Sequence, residues 1–422
     1  MRIAFTTLGC KINQYETDLL RQDLSSRGNT IVPFSEDADV YIINTCSVTA
    51  KSDTQCRQII RSAARRGQGA KVIVTGCYAE TRPDEIRGIQ GVDSVFGNNE
   101  KSKISQYVTS QAKEDPEQGR WQVPARAIKS RTRGFLKIQD GCNNSCSYCI
   151  VPFARGRSRS ADPTQLMLEF GRLVRGKSPE IVLSGIHIGT YGADLSPTTT
   201  LTDIVTSLVS MRGDARLRLS SIEPREVTDG IARLIGNGLC RHLHIPLQSG
   251  DDGILESMGR NYTASYYRNL VESLAESVSG IALGADVIVG YPGEDERAFE
   301  NTLRFLEAAP LTHLHVFTYS PRPGTVASAM KNQLPEATKR ERSEVLRRLG
   351  QEKNHDFRKK HQGLDLSVVV EDKVDADTGL LTGLTDNYIR VHIFGAQQSN
   401  IGEKITVRIM ETKKARTIAY IL

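Results

Sequence analysis

Apolar residues reach the first hundred positions in short bursts, each followed by a stretch of helical period. "RIAFTTLG" reads as a strand, "NQYETDLLRQDLSSRG" as a helix ending at Gly28, and "ADVYIINTC" as a strand ending at Cys46. "TQCRQIIRSAARRG" is a helix ending near Gly67, and "KVIVTGC" is a strand ending at Cys77. Short apolar strands alternating with helices predict a parallel sheet covered by helices over residues 1–110. Cys10, Cys46 and Cys77 stand at strand ends, and the carboxyl ends of strands form the ligand-binding edge of such sheets. Residues 111–133 lose the pattern, contain two prolines and turn basic, so they read as a linker. From Gly134 to residue 362 the strand–helix alternation resumes in "EIVLSGIHIG", "RLRLSSIEP", "HLHIPLQSG", "IALGADVIVGYPGE" and "THLHVFTYSPRPGT". About six such units predict a partial or complete β/α barrel, with polar residues just after the strands, where a barrel carries its chemistry. "EATKRERSEVLRRLGQEKNHDFRKKHQG" is a charged helix expected to be solvated along one face. Residues 363–422 are β-rich with turn signals, which predicts a small closed or semi-closed β-barrel. The predicted class is α/β with three domains.

Composition narrows this picture. The chain has 422 residues and a formal net charge of only +6, so any nucleic-acid surface must be local. No run approaches the ~18–20 apolar residues that span a bilayer, and "MRIAFTTLGC" lacks the features of a signal peptide. The expectation is a cytoplasmic protein with no membrane partner. Eight cysteines in a reducing compartment point to metal binding or catalysis rather than disulfides.

"GCNNSCSYCIVPFARGRSRS" carries the sharpest signal. Cys142, Cys146 and Cys149 have C-x3-C-x2-C spacing, with no fourth ligand nearby. A structural zinc site takes four ligands, so zinc would need a distant residue. A 4Fe-4S cluster held by three thiolates leaves one iron open. That iron can chelate an amine and a carboxylate, both of which the methionyl end of S-adenosylmethionine offers. With Tyr148 before the last cysteine, the motif resembles the radical S-adenosylmethionine signature.

The likeness extends along the chain. "TLGCKINQYET", "NTCSVT", "TGC", "GIHIGTYG", "SSIEP", "HIPLQSG" and "DVIVGYPGE" together resemble the methylthiotransferases, which join a three-cysteine domain, a radical barrel and a C-terminal TRAM β-barrel. "GCKINQYE" resembles the branch that methylthiolates threonylcarbamoyladenosine at position 37 of tRNA. The resemblance implies two 4Fe-4S clusters, one on Cys142, Cys146 and Cys149 and an auxiliary one on Cys10, Cys46 and Cys77. It also implies two molecules of S-adenosylmethionine and an electron donor such as flavodoxin or ferredoxin. One S-adenosylmethionine gives a methyl group to a sulfur on the auxiliary cluster. The other gives a 5′-deoxyadenosyl radical that removes hydrogen from carbon 2 of the adenine, and the methylthio group takes its place. Such a C–H is too inert for acid–base chemistry, so no catalytic side chain is assigned.

Cofactor contacts are expected from Tyr148, from Gly185 and His187 in "GIHIG", from Glu223 and from Gln248, each of which also reads as a satisfied polar group at a strand end. Cys56 and Cys240 fall outside both trios and read as ordinary packing or exposed thiols. Arg155, Arg157 and Arg159 follow the motif, and Arg126, Lys129, Arg131 and Arg133 precede it. Flanking basic runs favour phosphate contact, and alternate spacing points the arginines of "RGRSRS" one way if that segment is extended. Phe153 is a lone aromatic beside them. Lys413, Lys414 and Arg416 form the best basic patch of the last domain. Other readings stay open: isopentenyladenosine tRNA or a ribosomal protein as substrate, or a non-catalytic RNA-binding protein stabilised by metal.

Overall fold

A computed structural model describes residues 1–66, 69–109, 128–130 and 132–422, the side chains of 128–130 excepted. Most of the expected linker, with Arg126 and Arg131, lies outside the described residues. Its last part is a strand rather than a linker, since Ile128–Ser130 pairs antiparallel with Arg133–Lys137.

The N-terminal sheet has five parallel strands in the spatial order Thr30–Val32, Arg2–Thr7, Val40–Thr45, Lys71–Gly76 and Ser94–Val95. Alternation divides its residues between two faces. Tyr41, Ile43, Val72 and Val74 pack on Cys56, Ile60 and Ala63 of the helix Ala50–Arg66. Ile3, Phe5, Ile42 and Ile73 pack on Leu20 and Leu24 of the helix Lys11–Ser26 and on Ile104 and Val108 of Lys101–Thr109. The middle strand is buried along its whole length, as expected of a sheet covered on both sides. Cys10 caps the first helix and Cys77 opens the helix Cys77–Thr81, so the thiols do stand at the carboxyl edge.

The middle of the chain forms an open arc of six parallel strands. Arg133–Lys137, Glu180–Ser184 and Arg216–Leu219 make one sheet. His242–His244, Ala282–Val289 and His313–Thr318 make the other. A bridge from Leu217 to Leu239 joins them. The arc is therefore a partial barrel, and one large apolar core lies beneath its helices.

The C-terminal strands Asp365–Val374, Leu381–Thr385, Arg390–Phe394, Thr417–Ile421 and Lys404–Thr412 close into a five-stranded barrel with its own core. The preceding helix, Glu336–Lys359, is exposed along one face as expected, and its buried face also includes charged residues. Arg342 donates to the carbonyl of Glu294 at 2.7 Å, and Arg358 donates to the carbonyls of Lys413 and Lys414 at 3.0 and 2.7 Å.

A buried ion cluster locks the two barrels together. Glu180 is fully buried and accepts from Arg216 Nε at 2.7 Å and from Arg218 Nε and Nη2, both at 2.9 Å. The same guanidinium groups donate onward to carbonyls of Leu384, Thr385 and Asp386 in the C-terminal barrel. Burial opposes ionisation of Glu180, but Arg218 and Arg216 outweigh it and hold the carboxyl well below its usual range. Glu180→Ala strands two buried guanidinium groups and should cost about 3–5 kcal/mol, read as a lower urea midpoint.

Candidate functional site

The first thiol trio is brought together by close backbone approach. Gly9 has φ +98°, and a Cβ there would lie 2.7 Å from Cys46 Cβ and 2.8 Å from its Sγ. Only glycine lets the Cys10 turn rest against Cys46. Burial raises the Cys46 thiol, and the nearby Cys77 and Cys10 raise it further. Asn13 donates to the carbonyls of Leu8 and Thr45 at 2.9 and 3.0 Å and so fixes both turns. Asn98 Nδ2 points at Cys77 Sγ from 3.7 Å and donates to the carbonyl of Ala154 at 2.6 Å, which ties this edge to the barrel.

The second trio lies on the loop after the first barrel strand. Cys142, Cys146 and Cys149 share one recess of about 430 Å³ with Phe153 and Arg157. Donors are aimed at the sulfurs. The Asn144 N–H lies 3.4 Å from Cys142 Sγ and Arg260 Nη1 lies 3.3 Å from Cys146 Sγ. His187 Nδ1 stands 3.4 Å from Cys142 Sγ, and its Nε2 stands 2.6 Å from Glu226 Oε1. Burial pushes the Cys149 thiol up to about 12, and Cys146 and Cys142 add to the shift. A thiol that reluctant to ionise becomes a ligand only when a metal displaces its proton. Three clustered sulfurs with hydrogen-bond donors around them fit an iron–sulfur group.

The expected cofactor residues gather around this loop. Gln139 Oε1 accepts from the N–H groups of Ile186 and His187 at 3.1 and 2.7 Å, which clamps the Gly185–His187 turn. Glu223 is ion-paired with Arg260, the residue that meets Cys146. Tyr148 and Gln248 line a cavity of about 220 Å³ together with Cys149, Asp286, Phe317 and, from the N-terminal domain, Val48 and Thr49. This cavity lies where the edge of the first domain meets the mouth of the barrel. Arg322 locks the junction by donating to Ser47, next to Cys46, at 2.9 Å and by pairing with Asp53. Gln139, Arg260, Glu226 and Arg322 gave no sequence signal, because each acts through a partner distant in the chain.

Arg155 requires a correction. It is buried and does not reach out to a phosphate. It ends a short helix, Val151–Arg155, so its side chain does not follow the extended spacing assumed for "RGRSRS". Arg155 Nη1 pairs with Glu16 at 2.5 Å and with Asp140 at 3.3 Å. Lys137 meets Glu16 and Asp140 at 2.8 and 2.9 Å, and Lys101 also pairs with Glu16. Arg159 is half-buried and donates to Asn99 and to the carbonyl of Arg155. Arg157 is exposed, and Phe153 beside it is 60% exposed. Arg133 pairs with Glu180 and Glu371, so it too is engaged. Cys56 and Cys240 are buried in packing, as expected.

A second, larger cavity of about 530 Å³ runs from Lys11, next to Cys10, to Lys414 in the C-terminal barrel. Arg347, Arg358 and Arg390 also line it, and no acidic side chain does. Lys413 lies nearby in sequence, exposed and paired with Glu411, while Arg416 pairs with Asp377.

Comparison with known proteins agrees with this geometry. Residues 2–97 match the description "Uncharacterized protein family UPF0004", and residues 136–306 match the radical SAM superfamily. The chain is 37% identical to threonylcarbamoyladenosine tRNA methylthiotransferase MtaB of Bacillus subtilis, over 97% of this chain and 94% of that one. Identity to the protein of the same name from Aquifex aeolicus is 36%, over 97% and 100% of the two chains. A tRNA-2-methylthio-N(6)-dimethylallyladenosine synthase of Clostridium tetani is 31% identical, over 96% and 93%. Among solved structures, the radical S-adenosylmethionine methyltransferase TsrM of Kitasatospora setae shares the fold at 16% identity. Its TM-score is 0.58, with 78% of this chain and 77% of that one covered.

Arg155→Ala removes the buried guanidinium that donates to Glu16, Asp140 and Asn13 and breaks the ion cluster between the two domains. It should lower stability by about 3–5 kcal/mol, read by denaturant titration, whereas Arg157→Ala should leave the midpoint unchanged.

Proposed function

We propose, for a chain that belongs to the threonylcarbamoyladenosine tRNA methylthiotransferase family of radical S-adenosylmethionine enzymes, that each of its two cysteine trios holds one 4Fe-4S cluster. The enzyme methylthiolates threonylcarbamoyladenosine in tRNA, and it uses iron–sulfur chemistry and S-adenosylmethionine to do so. The observation that carries the two-cluster reading is the approach of both trios to one junction. Cys149 lines the cavity from the barrel side, and Val48 and Thr49, which follow Cys46, line it from the other. The site of substitution in this reading is carbon 2 of the adenine at position 37.

When bound, the clusters supply the electron that cleaves S-adenosylmethionine and the iron that carries the transferable sulfur. The protein's own residues bind, orient and exclude water. Arg260 and His187 place positive or hydrogen-bonding groups against Cys146 and Cys142, which favours the ligated thiolates. Burial opposes protonation of His187, yet its bonds to Cys142 and Glu226 outweigh that and raise it to about 10. Glu223 steers Arg260. Gln139 holds the Gly185–His187 turn, which would contact the methionyl end of the cofactor. Tyr148 and Gln248 line the space where adenosine groups meet, and Ile150, Val151, Ile288 and Phe317 keep it apolar. A radical that abstracts hydrogen needs such a dry cavity, because side reactions compete with the chemical step.

The long cavity from Lys11 to Lys414 serves the RNA backbone. Among its cations Arg133 and Arg390 are paired with Glu371, whereas no ion pair involves Lys11, Arg347 or Lys414 among the described residues, and the cavity joins the edge beside Cys10 to the C-terminal barrel, which is read as TRAM-like. Arg157 and Phe153 add an exposed cation and a stacking face at the loop mouth. The reducing electron comes from a one-electron partner such as flavodoxin or ferredoxin. A tRNA substrate supports a cytoplasmic setting, and no described helix is long and apolar enough to cross a membrane.

Two experiments test this. After anaerobic reconstitution, wild type should hold about eight irons and the Cys142/Cys146/Cys149→Ala variant about four. The Cys10/Cys46/Cys77→Ala variant should still form 5′-deoxyadenosine but no methylthio product by mass spectrometry. About four irons in wild type would reject the second cluster. Separately, Lys11→Ala, Arg157→Ala and Lys414→Ala should each flatten the slope of log affinity against log salt by up to about one for tRNA.

A further inference from the structure

Three polar side chains inside the barrel are not used by the chemistry above. His244 Nε2 lies 2.8 Å from Asp286 Oδ1, and His315 Nδ1 lies 3.3 Å from the same oxygen. The two imidazoles stack with centroids 4.7 Å apart. Strand register explains the grouping. Asp286 is the direct neighbour of His315, Ile288 of Phe317, and Gly284 of both His244 and His313. Residues so paired share a face. A Cβ on Gly284 would lie 2.6 Å from His244 Nδ1, so the glycine makes room for the ring. The alternate residues Ala285, Val287 and Val316 are in the apolar core, which leaves Asp286 and His315 facing the barrel interior.

The group occupies a junction. Asp286 lines the cavity of about 220 Å³ that also holds Cys149, Tyr148 and Gln248. His315 lines the basic cavity of about 530 Å³. The side chain of His315 is 55% exposed and that of Asp286 24%. Both imidazoles meet Oδ1, and among the described residues no donor is bonded to Asp286 Oδ2 and no group to His315 Nε2. Burial works against the charge on Asp286, but the bonds from His244 and His315 outweigh it and keep the carboxylate ionised. The pair therefore offers a ligand one imidazole edge and one carboxylate oxygen, side by side, two residues along the strands from the apolar pair Ile288 and Phe317.

We propose that His315 and Asp286, braced by His244, are the residues that recognise the N6 substituent of the target adenosine and select threonylcarbamoyl over an apolar group. This rests on the substrate reading above. The threonylcarbamoyl group carries a carboxylate, a hydroxyl and a urea N–H. With its carboxylate at His315 Nε2, the ring lies between two carboxylates and donates to both. Asp286 Oδ2 then accepts from the hydroxyl or the urea N–H. An adenine placed against Ile288 and Phe317 would extend its N6 substituent toward this pair. A dimethylallyl group in the same place would bury Asp286 Oδ2 and His315 Nε2 without partners, and a site with unpaired polar groups rejects such a ligand strongly.

The test is equilibrium binding of anticodon stem-loop RNAs, by fluorescence anisotropy, to cluster-loaded protein without reductant, so that no turnover occurs. The loops carry threonylcarbamoyladenosine, dimethylallyladenosine or plain adenosine at position 37. Wild type should prefer the first. His315→Phe should reduce that preference over plain adenosine by about ten- to a hundredfold, toward a ratio of one, and should improve the relative binding of the dimethylallyl loop. His315→Gln, which keeps a donor, should retain most of the preference. Iron content and affinity for the plain loop report that each variant is folded and loaded. A wild-type ratio in His315→Phe overturns the inference and leaves the substrate reading intact. No preference in wild type itself overturns the substrate reading, and the inference with it.

Discussion

Two cysteine trios on separate domains are useful only if their separation is fixed, and a buried ion cluster fixes it. Glu16 on the first helix and Asp140 before the radical loop face Lys101, Lys137 and Arg155, and all five are almost fully buried. Three cations against two anions leave one positive charge unmatched within the group. The sulfur of Cys77 lies close enough to favour the charge on Arg155, after Glu16. The ion cluster thus lies against the edge of the sheet where the first trio stands. A buried ion cluster contributes little net stability compared with apolar packing. Its value here is geometric, since each carboxylate accepts from fixed directions and permits one arrangement of helix and loop.

That arrangement explains which parts of the molecule were legible in sequence. The strands ending in Cys10, Cys46 and Cys77 announce themselves because period and position are local properties. The radical loop does so because its three cysteines fall within eight residues. The final β-barrel follows from alternation and turns. What stayed hidden depends on partners far along the chain. Arg155 looked like one tooth of a basic comb, yet a single helical turn swings it inward to Glu16, 139 residues away. Arg260 is 114 residues from the sulfur it meets. Gln139 and Arg322 had no pattern to mark them. Whether the arc of about six units closes was also undetermined, because strand periodicity does not report closure.

The interior of the arc shows why it need not close. A complete barrel fills its centre with branched apolar side chains. Here Glu180, Arg216, Arg218 and His242 occupy the floor, and the C-terminal barrel caps them with its carbonyls and with Tyr388, stacked on His242 at 4.0 Å. Burial, with Arg218 next, holds His242 neutral, so the floor adds no further cation. The final domain thus has a structural role as a plug in addition to any contact with RNA.

Polarity then changes in a graded way from the floor of the arc to its mouth. At the floor, Arg216 and Arg218 share Glu180 and turn their other donors to backbone carbonyls. Midway, Asp286, His244 and His315 are polar but not saturated. At the mouth, Ile288, Phe317 and Tyr148 are apolar beside Cys149. Radical chemistry at an unactivated aromatic C–H gains nothing from a titratable neighbour and is harmed by water, which suits the apolar side chains gathered at the mouth. Recognition of a charged, hydrogen-bonding substituent needs the opposite. Two residues of strand rise separate Ile288 from Asp286, about 6–7 Å, which is the scale of a purine and its N6 substituent. A single pair of adjacent strands can therefore hold the base in an apolar environment while meeting its polar extension, without bringing solvent to the carbon that reacts.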